Sequence, residues 1–301
     1  MEIINPDLHP GLVTVCIITY NQVDYVVQAI ESVLMQETNF PFNVVIADDC
    51  SKDGTAEIVR SYAIRNPGKL TAILQNPNVG AGSNYDMLIR HARGKYIAYL
   101  EGDDYWTDTS KLQLQIDVLE SQADIVSCFS NVLELFDEDE SHPQNHLQNG
   151  CWPKTRIGFR QIIHRNYIQT CSVVFRNHLV NPLPEWLIKL KVGDWPLHVL
   201  LSQFGDFYYI HRPMAAHRNH SSGLWSRKSK LARIEATIEA YHAIARNTPL
   251  GTKTGFKQAL SNTLLSSVKY CMRERFFAKA MRNFASGFLL YPLNLFTRKI
   301  P

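Results

Sequence analysis

Four short apolar runs recur in the first hundred residues: Leu12 to Ile18, Phe42 to Ala47, Leu70 to Leu74 and Tyr96 to Leu100. Each is too short for a buried helix and almost continuously apolar, the pattern of a strand covered on both faces. Between them the spacing turns helical. Val26, Val27, Ile30, Val33 and Leu34 share one face, as do Ile58, Val59, Tyr62 and Ala63. A third helix is expected over roughly Asn84 to Ala92, with Gly94 as its C′ residue. This alternation predicts an α/β fold with a mostly parallel, Rossmann-like sheet, helices on both faces and right-handed crossovers.

Further along, the pattern predicts a helix from Lys111 to Glu120, a strand from Ile125 to Phe129 and another from Cys171 to Phe175. Asp137 to Gly150 is acidic and rich in turn residues, so a mobile surface loop is expected. After Trp225 the spacing is helical throughout. Leu231, Ile234, Ile238 and Tyr241 form one stripe, and Phe256, Leu260, Thr263, Leu264, Ser267 and Val268 a second. Two units are therefore expected, an α/β domain over residues 1–225 and a helical region over residues 226–301. With 301 residues, 45% of them hydrophobic, there is material for one large core plus such an appendage.

No run is long and apolar enough to cross a bilayer, and the start of the chain lacks a basic-then-apolar leader pattern, so a cytoplasmic location is expected. The six cysteines show no paired spacing, which argues against a zinc site or a disulfide framework. Net charge is only +3, yet from Leu187 onward there are 18 Lys/Arg against 5 Asp/Glu. That basic half has two readings, solvated helix faces or a peripheral contact with the inner, anionic face of a plasma membrane. The tail from Phe284 to Ile300 has two as well, a segment lying on a membrane surface or a last helix packed on the core.

The chemistry concentrates where the fourth strand ends, in Glu101-Gly102-Asp103-Asp104-Tyr105-Trp106. Carboxylates leaving a buried parallel strand lie at the edge where open α/β sheets bind ligands. Their mutual repulsion favours a cation among them, and hard oxygen ligands select Mg²⁺ or Mn²⁺ shared with substrate phosphates. Two other turns share that edge, Thr19-Tyr20-Asn21 after the first strand and Asp48-Asp49 after the second.

In this order, and with Gly193-Asp194-Trp195 before an apolar helix, these segments resemble the family 2 glycosyltransferases. The resemblance implies the GT-A fold. It is strongest from Leu12 to Phe136 and resumes around Gly193 to Leu197 and His217 to Ser226. It implies that Thr19, Tyr20 and Asn21 border the nucleobase, and that Asp49 accepts a hydrogen bond from it. It assigns Glu101-Gly102-Asp103 to the family's Asp-x-Asp motif, with Glu101 near the ribose or a metal-bound water and Asp103 on the metal. By the same resemblance His220, in Arg218-Asn219-His220, would close over the diphosphate and supply a second metal ligand, with an ordinary surface-loop histidine as the competing role. Asp104 supports Asp103. Asn84 stands where many members have Arg-Asn after the third strand, so one cationic contact is missing unless Arg218 supplies it. Asp194 matches the base of inverting members. Its place at a helix start is expected to lower its proton affinity, and an ordinary N-cap is the competing role.

The implied reaction is one displacement at an anomeric carbon, moving a sugar from a nucleoside-diphosphate donor to a hydroxyl of a glycan or lipid-linked acceptor. It would serve cell-surface polysaccharide synthesis. An acceptor-only carboxylate at Asp49 suits the imide N–H of uracil, with guanine the competitor. Two alternatives stay open, a non-catalytic nucleotide-sugar binder and a metal-dependent nucleotidyltransferase. The latter wants a Gly- and Lys-rich first turn, which Thr19 to Asp24 does not supply. Nucleic acid is not among the expected partners.

Overall fold

The computed structural model describes the chain apart from residues 8–9, 137–138, 146–154, 222, 224, 226 and 291–301. In chain order it builds β1 (Glu2–Ile4), β2 (Val13–Thr19), α1 (Val26–Leu34), β3 (Phe42–Asp48), α2 (Thr55–Arg65), β4 (Leu70–Leu74), α3 (Ala81–His91), β5 (Tyr96–Glu101), β6 (Tyr105–Trp106) and α4 (Lys111–Ser121). There follow β7 (Ile125–Phe136), β8 (Asp139–Asn145), β9 (Arg156–Ile157), α5 (Phe159–Ile162), β10 (Val173–Arg176), α6 (Glu185–Ile188), α7 (Asp194–Leu201) and β11 (Asp206–Asn219). Three helices close the described chain, α8 (Lys230–Asn247), α9 (Thr254–Arg273) and α10 (Phe277–Leu290).

One sheet carries the strands in the order β1-β4-β3-β2-β5-β10-β7-β11-β6, with β8 added to β7 and β9 to β11. Strands β4, β3, β2 and β5 run parallel, as the β/α alternation predicts. Beyond β5 the sheet is mixed. β10 is antiparallel to both β5 and β7, and β7 is parallel to β11.

Strand periodicity divides the core. Val13, Val15 and Ile17 of β2 face one side with Val44 and Ile46, under Ala29, Ile30 and Val33 of α1 and Val59 and Ala63 of α2. Cys16, Val45 and Ala47 face the other, under Leu88 and Ile89 of α3. Tyr241 and Ile244 of α8 and Phe256, Leu260 and Leu264 of α9 belong to this second cluster, so the C-terminal helices share the core of the sheet.

Three local expectations are corrected. Gly94 is not the cap of α3, which Ala92 ends in an extended conformation (φ −72°, ψ 111°). Gly94 is instead pressed on β2, where a Cβ would lie 2.6 Å from the Thr14 backbone nitrogen. β7 runs to Phe136 rather than stopping at Phe129, because its polar stretch pairs with β11 up to Asn219. Part of the expected 137–150 loop, Asp139–Asn145, is a strand on the edge of β7, and 146–150 lies outside the described residues. Of the expected tail helix, Phe284 to Leu290 belongs to α10 and the rest lies outside the described residues.

Candidate active site

The β2, β3 and β5 turns meet at one sheet edge and lock one another through backbone groups. Asn21 takes a left-handed conformation (φ 52°). Its N–H donates to Ser51 Oγ at 2.8 Å, and its Oδ1 accepts from the Lys52 N–H at 2.9 Å. Fully buried Asp48 accepts from the Ser51 hydroxyl and from the Ser51 N–H. Burial pushes the Asp48 carboxyl up despite those bonds.

Asp49, 3% exposed, accepts from the N–H groups of Val79 (2.7 Å) and Gly80 (3.0 Å), one on each carboxylate oxygen. It therefore ties the β3 turn to the segment entering α3. Tyr20 stands out into solvent at 41% exposure. Thr19 is buried, and its Oγ1 has no hydrogen-bond partner among the described residues. Gly102 explains the close approach here, because a Cβ on it would meet Gln22 Oε1 at 2.6 Å and Thr19 Oγ1 at 2.9 Å. Asn84 lies in the first turn of α3. It is fully buried, donating to the Ala47 carbonyl at 3.0 Å and accepting from Gln75 at 3.3 Å, and so pins α3 to β3.

The end of β11 crosses the β5 turn and is zipped to it by β6, with Ala215 opposite Trp106 and Ala216 opposite Tyr105. The Arg218 N–H donates to Asp104 Oδ1 at 2.9 Å, and its Nη1 donates to the Asp103 carbonyl at 2.7 Å. Its guanidinium lies 4.5 Å from the Tyr105 ring centroid, so Arg218 braces the acidic turn. His220 Nε2 lies 3.0 Å from Asp103 Oδ2, with the Tyr25 ring 5.0 Å from its own.

Behind them, His217 sits beside Glu134 in the β7–β11 pairing. Its Nδ1 is 2.8 Å from Glu134 Oε2, and Gln169 (2.7 Å) and Asn219 (2.6 Å) also donate to that carboxylate. Burial lowers the His217 proton affinity, but Asp104, Glu134 and Glu101 overcome it and raise the pKa to about 10, making it a standing imidazolium. Glu101 is pushed far above the usual carboxylate range, first by burial, then by Asp104 and Asp103, with Asp194 adding to the effect. Burial likewise lifts Asp104 to about 6.

Asp194 opens α7 as its first helical residue, with Gly193 as the cap, so the expected N-cap role falls to the glycine. Asn166 Nδ2 donates to Asp194 Oδ2 at 2.6 Å. The expectation of a lowered proton affinity is reversed. Burial pushes the Asp194 carboxyl up, and the Trp195 N–H and Asn166 offset only part of that. Trp195 fixes the start of the helix by donating to the Ile162 carbonyl at 2.7 Å.

Sequence reading passed over Glu134, Asn166 and Gln169. For Glu134 a signal existed, the one charged residue of β7, set between Leu133 and Leu135. Asn166 and Gln169 sit in an irregular segment between α5 and β10 and carry no such signal.

Asp103 and His220 offer one carboxylate and one imidazole to a common point. The two meet directly in a hydrogen bond at 3.0 Å, close enough that a hard divalent cation could be shared between them. Among the described residues no group of three or more His, Cys, Asp or Glu side chains closes a cage. The donor set therefore suits a hard divalent cation whose remaining positions go to phosphate and water.

The sequence profile described as Glycosyl transferase family 2 matches residues 14–180. An uncharacterized Mycobacterium tuberculosis protein, Rv1520, is 34% identical over 209 residues, covering 69% of this chain and 59% of its own length. The succinoglycan biosynthesis protein ExoO of Rhizobium meliloti is 30% identical over 251 residues, covering 79% of this chain and 69% of its own. WfaP of Escherichia coli, a UDP-Glc:alpha-D-GlcNAc-diphosphoundecaprenol beta-1,3-glucosyltransferase, is 33% identical over 111 residues, 37% of this chain and 42% of its own.

Two solved structures share the fold at 16% identity. S. aureus TarS 1-349 with UDP-GlcNAc has a TM-score of 0.61 over 94% of this chain and 92% of its own. The mannosyltransferase PcManGT of Pyrobaculum calidifontis, with GDP-Man and Mn²⁺, has a TM-score of 0.61 over 98% and 90%. The chain belongs to glycosyl transferase family 2 and has the GT-A fold, with helices at its C-terminal end.

Proposed function

We propose that this glycosyltransferase moves a sugar from a UDP-sugar to a hydroxyl of a glycan or lipid-linked acceptor, in one displacement that inverts the anomeric carbon. The observation that carries the reading is the convergence of Asp103 and His220 at 3.0 Å, in the same cleft where Asp194 raises the proton affinity of Glu101. Support comes from the UDP-GlcNAc in TarS and from the diphosphoundecaprenol acceptor in the name of WfaP. The Mn²⁺ in PcManGT supports the metal.

Thr19, Tyr20 and Asn21 would border the base, with the exposed Tyr20 ring free to cover it. Asp49 already accepts two backbone N–H groups, but a carboxylate has about four acceptor positions, which leaves room for an imide N–H. Asp103 and His220 would hold Mn²⁺ or Mg²⁺, which when bound neutralises charge on the departing diphosphate. Glu101 and Gly102 would meet the ribose, Gly102 by leaving the backbone open to close approach. Asp194 would accept the proton of the attacking hydroxyl. Its raised proton affinity suits that task, because a base matched to the working pH transfers protons best. Asn166 would hold Oδ2 and leave Oδ1 for the acceptor. Residues 1–225 would carry this chemistry, and residues 226–301 would buttress it and carry the surface described next.

Titration calorimetry of UDP and GDP, each with and without Mn²⁺, tests the donor side. UDP is expected to bind more tightly than GDP, and only with the cation. Asp103→Ala is expected to abolish the cation dependence with the fold intact. Tighter GDP binding overturns the choice of base, and unchanged affinity in Asp103→Ala overturns the metal assignment.

A further inference from the structure

Helix α10 keeps its small residues inside and its large ones outside. Ala280, Asn283 and Gly287 are its buried positions. They seat it closely on α9, with Ser261 donating to the Gly287 carbonyl at 2.7 Å and Asn283 donating to Ser267 Oγ at 2.8 Å. The apolar bulk faces solvent: Phe276 at 44% exposure, Phe277 at 54%, Met281 at 66%, Phe284 at 42%, Phe288 at 38% and Leu289 at 78%. Positions 277, 281, 284 and 288 step by four, three and four, so they form one stripe along the helix. The Phe284 and Phe288 rings lie parallel within it, 6.4 Å apart. A contiguous apolar patch of this kind marks an interaction surface.

The charge around the stripe selects the partner. From Lys269 to Leu290 there are five Lys/Arg and one acid, Glu274. Glu274 is paired with Arg273, and Lys279 with Glu235 of α8. Among the described residues no ion pair engages Arg275, just before the stripe, or Arg282, on its flank. A second copy of this chain would bring these arginines against their own like, which disfavours self-association. Anionic lipid offers phosphate to the arginines and an acyl boundary to the rings.

We propose that the outer face of α10 docks on an anionic membrane surface, with Phe284 and Phe288 at the acyl boundary and Arg275 and Arg282 among the headgroup phosphates. Among the described residues no helix is long and apolar enough to cross a membrane, so the contact is peripheral. The inference rests on this surface alone and stands apart from the reading of the cleft.

Flotation of the full chain with phosphatidylcholine vesicles, and with vesicles in which part of that lipid is replaced by phosphatidylglycerol, tests it. Binding is expected to the anionic vesicles and to fall sharply on neutral ones. Replacing both arginines by glutamine is expected to lower partition about thirtyfold, since each basic residue near such a surface contributes about one power of five. Phe284→Ser with Phe288→Ser is expected to release the protein at any lipid charge. Circular dichroism and the melting temperature of the same variants report that the fold is intact. Wild-type protein that ignores anionic vesicles overturns the proposal, as do variants that bind like wild type. A solution dimer that the double Phe→Ser variant converts to monomer overturns it in favour of self-association.

Discussion

On the bank of the cleft formed by β2, β3 and β5, the polar residues are held mainly by backbone groups. Asp49 takes the N–H groups of Val79 and Gly80, Asp48 that of Ser51, and Asn21 that of Lys52. On the bank formed by α7, β7 and β11, side chains hold side chains. Asn166 holds Asp194, Gln169 and Asn219 hold Glu134, Glu134 holds His217, and His220 meets Asp103. Backbone donors are present whatever the sequence, provided the turn forms, so the first bank is part of folding. Side-chain pairs are removed one at a time without unravelling a turn, so the second bank is where chemistry is adjusted separately from stability.

The sharpest way to break that contrast is Asp194→Asn, on the second bank. Asparagine still accepts from Asn166 but takes no proton, so turnover is expected to fall about 10²–10⁴-fold. Melting temperature and donor affinity should stay near wild type. A variant that turns over normally would reduce Asp194 to a helix-start residue.

Asp49→Ala probes the first bank, where stability should fall together with nucleotide binding. It removes the acceptor of two backbone N–H groups in a solvent-exposed segment, and each such hydrogen bond contributes about 0.5–1.5 kcal/mol net, so a drop of about 1–3 kcal/mol in denaturant unfolding is expected. Full stability with lost nucleotide binding would make Asp49 a ligand contact rather than a strut.

The second bank also has an apolar foundation, visible at His198, one turn after Asp194. The ring is 1% exposed, neither nitrogen has a partner among the described residues, and Phe207 lies against it at 6.1 Å. Burial pushes its pKa down to about 3. The unfolded chain takes up this proton near pH 6.5 while the folded one resists it, so the stability this group allows is present above pH 6.5 and is lost as pH falls towards 3. His198→Leu should remove that loss. The advantage of the variant over wild type is expected to grow by about 2 kcal/mol between pH 7.5 and pH 5. An advantage that does not change with pH would mean that His198 is charged or partnered in the folded protein.

Asn166→Ala should give the smallest effect, about a tenfold loss of turnover, the size expected for one hydrogen bond to a charged group. Because Asn166 lowers the proton affinity of Asp194, its removal should shift the acid limb of the pH–rate profile to higher pH. A loss of turnover with an unmoved limb would confine Asn166 to holding its own loop.

The sequence by itself determined the parallel half of the sheet and the turns at its edge. Buried parallel strands must be continuously apolar, and the acids, asparagines and glycine that end them are the residues such turns require. The strand-end positions of Asp49 and Asp103 were legible for that reason. Only the tertiary structure decided that Asn84 is a core strut, that Glu134 anchors a charged His217, and that Asn166 reaches Asp194. Contacts between side chains on separate elements leave no periodic trace. The proton affinity of Asp194 was beyond sequence reading as well. A helix start lowers it through the few backbone groups of one turn, whereas burial raises it through everything packed around the carboxyl, and here the surroundings outweigh the turn.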